Sequence, residues 1–130
     1  MNVPPDQFLS IAISLINKNQ LNATLDERTY RAHFKINPFA TARLWKRLHQ
    51  ANTGKVHVHQ GVVYSFESFQ PCHLLWLLHY LKTYVSEDVA ASFCGVSCKT
   101  HRKYVWAMID FSNNLSRELV SKQYNLHTLH

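Results

Sequence analysis

Lys99, Arg102, Lys103 and Trp106 fall at i, i+3, i+4 and i+7, a spacing that puts them on one face of a helix. Cations gathered on one helical stripe suit an anionic partner, since arginine and lysine pair with guanine edges or with phosphates. Ser97 and Thr100, in the first turn of the same helix, join them as candidate contacts. No acid interrupts the chain between Asp88 and Asp110. The pattern recurs upstream, where Arg43, Lys46, Arg47 and Gln50 repeat the same spacing. Arg28 and Arg31 precede them, and the seven basic residues from Arg28 to Lys55 meet no acid before Glu67. A basic cluster can equally be a solvated helix face. What favours contact here is where the clusters fall on the helices.

Other chemistry is thin. His57 and His59 would share one face of a strand, a geometry compatible with a metal but short of the ligands a site needs. Cys94, Cys98 and His101, with Cys72 or His73, assemble into a zinc site only on paper, and free cysteines buried in a helical core are the better reading. Three glycines leave no phosphate-cradling loop, and no nucleophile–base pair can be read from spacing. Neither a metal nor a cofactor is expected, and catalytic residues are not assigned.

The elements that must position these residues follow from periodicity and caps. Pro4-Pro5-Asp6 opens a first helix with Phe8, Ile11, Ala12, Leu15 and Ile16 at helical spacing, fading into a loop over Asn17–Asn22. A short second helix runs from Asp26 to Phe34, and a third opens at Asn37-Pro38 and ends near Ala51–Gly54. Val56/Val58 and Val62/Val63 around Gln60-Gly61 predict a hairpin. Pro71 starts a fourth helix with a broad apolar face from Leu74 to Leu81, reaching about Tyr84. Ser86 caps a fifth, which Gly95 ends, and Ser97 caps a sixth that runs to about Leu115, leaving Ser116–His130 as a further helix or a frayed tail. Helices five and six then have the layout of a helix-turn-helix over about 86–115: small Ala90 and Ala91 at the crossing, Gly95 in the turn, Val96 in the angle. The second helix of such a pair lies in the major groove. His101, Val105, Met108 and Ser112 mark the opposite, inward face. A weaker second unit spans about 26–51, with Lys35 where a glycine is expected.

At 130 residues, 46% apolar and 12% aromatic, the chain suits one domain with a real core. A formal charge of +6 again points to an anionic partner. No apolar run reaches the roughly 18 residues of a bilayer span, and Met1–Ser14 lacks the basic start of a secretory signal. Three cysteines in such a chain suggest reduced thiols inside a cell.

The run His73-Leu-Leu-Trp-Leu-Leu-His-Tyr-Leu-Lys-Thr-Tyr, followed by Ser-Glu-Asp-Val-Ala-Ala and Gly-Val-Ser-Cys-Lys-Thr-His-Arg-Lys-Tyr-Val-Trp, resembles the N-terminal region of DDE-type transposases. The Harbinger-like eukaryotic branch and its bacterial insertion-sequence relatives are nearest. Phe34-Lys-Ile-Asn-Pro and Ala42-Arg-Leu-Trp resemble the segment that precedes it, so the likeness covers roughly residues 28–115. It implies a helical region that binds the ends of an element ahead of a catalytic domain, whose three acidic residues would hold two metal ions. Asp110 and Glu118 do not match that carboxylate set, and the chain stops before such a domain could begin. The expectation is therefore an all-α module, residues 1–130 as a single DNA-binding domain with one clear and one weaker helix-turn-helix and a short hairpin at about 55–66. It is expected to bind double-stranded DNA without being an enzyme, to have a homodimer partner or a separate catalytic subunit as the protein partners open to it, and to be intracellular, in the nucleus if the source is eukaryotic. The rival is a protein-interaction module whose basic surface only solubilises it, with a small metal-dependent enzyme using the histidines as a third reading.

Overall fold

The computed structural model describes residues 2–19 and 26–128, with side chains described to residue 17 and over 26–117. Helices α1 (Pro5–Asn19), α2 (Glu27–Phe34) and α3 (Pro38–Ala51) lead into an antiparallel hairpin, β1 (Val56–His59) and β2 (Val62–Ser65). A single 3-10 turn, Phe66–Ser68, joins it to α4 (Pro71–Thr83), α5 (Glu87–Cys94) and α6 (Cys98–Thr128). The molecule is mostly helical, 73%, with one small two-stranded sheet.

Caps set the helix starts. Asp26 accepts the Thr29 N–H at 2.7 Å, Asn37 accepts that of Ala40 at 2.7 Å with Pro38 in the first turn, and Ser86 accepts that of Val89 at 3.3 Å. At α4 the cap works in both directions: Gln70 receives the N3 backbone, and His73 Nδ1 accepts the Gln70 N–H at 3.0 Å. The hairpin pairs Val56 with Ser65 and His59 with Val62. Its turn residues Gln60 (φ 50°) and Gly61 (φ 79°) both take positive φ, the combination whose twist matches a two-residue hairpin.

α4 forms the centre. Every residue from His73 to His79 is buried, and the helix packs against α1, α2, α5 and α6. Burial ends after His79, so Leu81, expected on the apolar face, is 39% exposed. The other half of the core is aromatic. Phe66 meets Trp45 at 4.9 Å and Phe111 edge-on at 5.3 Å, while Phe69 meets Phe111 at 5.4 Å. The 3-10 turn thus seats Phe66 between α3 and α6, and Phe69, which follows it, packs against α6 and His73 of α4.

Two boundaries differ from expectation. α1 continues through Asn19, where a loop over Asn17–Asn22 was expected, and the rest of that loop, 20–22, lies outside the described residues. α6 does not stop near Leu115 but continues to Thr128, so no separate tail helix forms. The reason is chemical: no glycine or proline follows Gly95, so nothing in the backbone ends the helix.

Candidate nucleic-acid interface

α5 and α6 meet at a turn built by three residues. Gly95 closes α5 in the left-handed conformation (φ 75°, ψ 28°), its N–H bonding Ser92 O, and the Val96 N–H returns to Ala91 O at 3.0 Å. The Ser97 hydroxyl then accepts the Thr100 N–H at 3.2 Å and donates to Thr100 Oγ1 at 3.0 Å, opening α6. Ala90 and Ala91 are buried at the crossing, and Val96 packs partly buried against the core. His101, Val105 and Met108 are buried, while Ser112 is half-buried and donates to Met108 O. The inward face of α6 is therefore the one expected.

Its outward face carries Lys99, Arg102 and Trp106 exposed, with Lys103 half-buried. These four are not equivalent. Arg102 donates to Glu87 on α5, from Nη2 at 2.6 Å and from Nε at 3.2 Å to the same carboxylate oxygen. The guanidinium beside Glu87 holds that carboxyl below its usual range. Lys103 Nζ lies 4.7 Å from the Tyr64 ring centre and 4.9 Å from that of Tyr104, and its pKa is raised chiefly by its hydrogen bond to Tyr64. The ammonium so ties α6 to the hairpin. Lys99 has no ion pair among the described residues, and Trp106 is 52% exposed.

On α3, Arg43, Lys46, Arg47 and Gln50 are all exposed, opposite buried Trp45 and Leu48. Arg43 and Lys46 also edge an open apolar groove of about 490 Å³ formed with Val3, Pro4, Pro5 and Phe39. α3 meets α6 through Asn52, whose Nδ2 donates to Phe111 O at 3.0 Å. Arg28 and Arg31 lie on α2, away from the core-facing Tyr30 and Phe34, and line a cleft with Lys35 and Lys82. The last two were not among the expected contacts. Lys82 belongs to α4, and only tertiary packing brings it to α2, whereas Lys35 stands out in the sequence only as a misfit in a turn. That misfit is real: Lys35 takes φ 75°, ψ −37°, a backbone region that favours glycine.

Of the histidines and cysteines, His57 and His59 do share a face, 6.3 Å apart, but His57 Nδ1–H donates to Asp110. Among the described residues no three His, Cys, Asp or Glu side chains stand together as metal ligands. Cys94 is buried, and burial pushes its thiol up to about 12. Cys98, expected in the core, is instead half-buried at the helix start and donates to Asp88 at 2.6 Å. No helix among the described residues is long and apolar enough to cross a membrane.

Fold and surface together define a small helical module with two basic helical stripes and a cationic cleft. No protein-family model, curated protein or solved structure matches the chain.

Proposed function

We propose that this chain is a duplex-DNA-binding module of the kind that precedes the catalytic domain in the DDE transposases it resembles, and that α5 and α6 act as a helix-turn-helix. The observation that carries this reading is the α5–Gly95–α6 junction. It turns His101, Val105 and Met108 into the core and leaves Lys99, Arg102 and Trp106 outward, as a groove-reading helix requires. α3 and α2 supply a second contact through Arg43, Lys46, Arg47, Gln50, Arg28 and Arg31. Each neutralised phosphate releases condensed counterions, so binding should weaken steeply with salt. Changing Lys99, Arg102 and Lys103 together to alanine should lower affinity for random duplexes and flatten that dependence. Unchanged affinity in a folded triple variant removes α6 from the interface. Strand cleavage with magnesium or manganese is not expected, because no transposase carboxylate set is matched. Plasmid nicking that persists through purification and responds to mutation of an acidic residue would overturn that.

A partner-docking reading is favoured by one observation. The hairpin leaves Val56, Val58, Val62 and Val63 between 50% and 62% exposed, an apolar ribbon that DNA contact does not require. Absence of DNA binding at low salt would select it.

A further inference from the structure

The cleft between α2 and α4 gathers four cations. Arg28 and Arg31 stand on α2, Lys35 closes that helix, and Lys82 reaches in from α4, around an open volume of about 560 Å³. Glu27 is the one acid among the lining residues, so four cations face one carboxylate. Among the described residues none of the four has an ion-pair partner, since the pairs present are His57–Asp110 and Arg102–Glu87. Four like charges held together against a single carboxylate repel one another, and a multivalent anion relieves this.

The scaffold keeps them together. α2 is pinned on its far side by buried Tyr30 and Phe34, and the Tyr30 hydroxyl donates to Thr41 at 2.9 Å. Lys35 adds a second observation: a lysine occupies a positive-φ backbone position that glycine would take at lower cost, and its side chain lines the cleft. The guanidinium forks of Arg28 and Arg31 match the oxygens of phosphate, and the two ammoniums supply point charge beside them.

We infer that the α2–α4 cleft is a binding site for clustered phosphates, with Lys35 and Lys82 as its previously unassigned ligand residues. The chemistry is two or more adjacent phosphate groups, whether successive phosphodiesters of a nucleic acid backbone or a free polyphosphate. The inference does not depend on α6 reading DNA.

Calorimetric titration of the full chain with inorganic tripolyphosphate at low ionic strength tests it. Saturable binding is expected. The Arg31→Ala/Lys82→Ala variant should weaken it by about tenfold or more, whereas Lys99→Ala/Arg102→Ala should leave it within about twofold. Glu27→Gln, which removes the cleft's acid, should tighten it. No saturable binding, or an equal loss in the α6 variant, overturns the site. Duplex DNA then identifies the source. Parallel loss of DNA affinity in Arg31→Ala/Lys82→Ala supports a backbone clamp, and DNA affinity untouched by that variant supports a free polyphosphate ligand. If the wild-type chain binds tripolyphosphate but no DNA, the cleft stands and the helix-turn-helix reading falls.

Discussion

Asn52 is fully buried, yet its amide wants for nothing. Its two N–H groups donate to Leu48 O at 2.8 Å and Phe111 O at 3.0 Å, and its oxygen accepts from Asn114 Nδ2 at 2.8 Å. One side chain thereby caps α3 and fastens it to α6. Asn52→Ala should cost about 2 kcal/mol by denaturant titration, the scale of opening a satisfied buried hydrogen-bond set. Asn52→Asp should cost more, because it sets a second acceptor against two carbonyls. A smaller loss for Asp than for Ala would mean that the amide is not the clamp. His101 is the opposite case. It is 1% exposed beside Trp76 and Tyr80, and its Nε2 finds no partner. Burial lowers its pKa. His101→Phe should therefore stabilise the fold by about 1 kcal/mol, since it removes a buried unsatisfied nitrogen from an aromatic setting. DNA affinity should stay nearly unchanged, because the ring points inward; destabilisation would reveal a polar partner for His101.

At the scale of elements, the α5–α6 pair holds its own cation in check. Arg102 is bound to Glu87 across the turn, so under the proposed function DNA would have to displace that carboxylate before the guanidinium reached a phosphate or a base. Glu87→Gln should raise DNA affinity about two- to threefold and steepen the salt slope by roughly one phosphate contact. Unchanged affinity with the fold intact would take Arg102 out of the contact set. The ends of α2 and α4 carry a different signature, for Lys35 and Tyr84 both hold positive φ without being glycine. Tyr84 is 85% exposed, so its ring gains little from burial, and Tyr84→Gly should stabilise the domain by up to about 1 kcal/mol in thermal melts. These elements were legible in the sequence wherever a local signal existed: Asp26, Asn37, Ser86 and Ser97 start helices, and Gly61 and Gly95 turn the chain. What local signals do not encode is partnership. Nothing near Arg102, Lys103 or Lys82 in the chain announces Glu87, Tyr64 or α2, because those neighbours meet only when the bundle closes.

Across the whole molecule, the core is unusually rich in imidazole. His79 stacks on Phe93 at 3.8 Å and 4°, and His73 on Tyr104 at 4.0 Å and 6°, while His101 lies between Trp76 and Tyr80. Burial pushes His73 down to about 4, helped by nearby Lys103. His79 is pushed to about 4 by burial, then by His33 and His101. In the unfolded chain each ring returns to about 6.5, so between those values the unfolded state holds more protons than the native one. Stability from these rings is therefore whole above about pH 6.5, falls as pH drops below it, and levels off near pH 4. The carboxylates act lower. Asp26, held down by the Thr29 N–H, and Glu87, held down by Arg102, contribute stability that is lost only as pH falls below their ordinary range. Melting midpoints at fixed ionic strength should accordingly drop by on the order of 10 °C between about pH 7 and pH 4.5. His79→Phe keeps a flat ring against Phe93 and removes one titrating site, so its profile should be shallower than that of the parent chain. A midpoint that stays flat across this range would mean that the rings take up protons in place, with water reaching them through the packed aromatic shell.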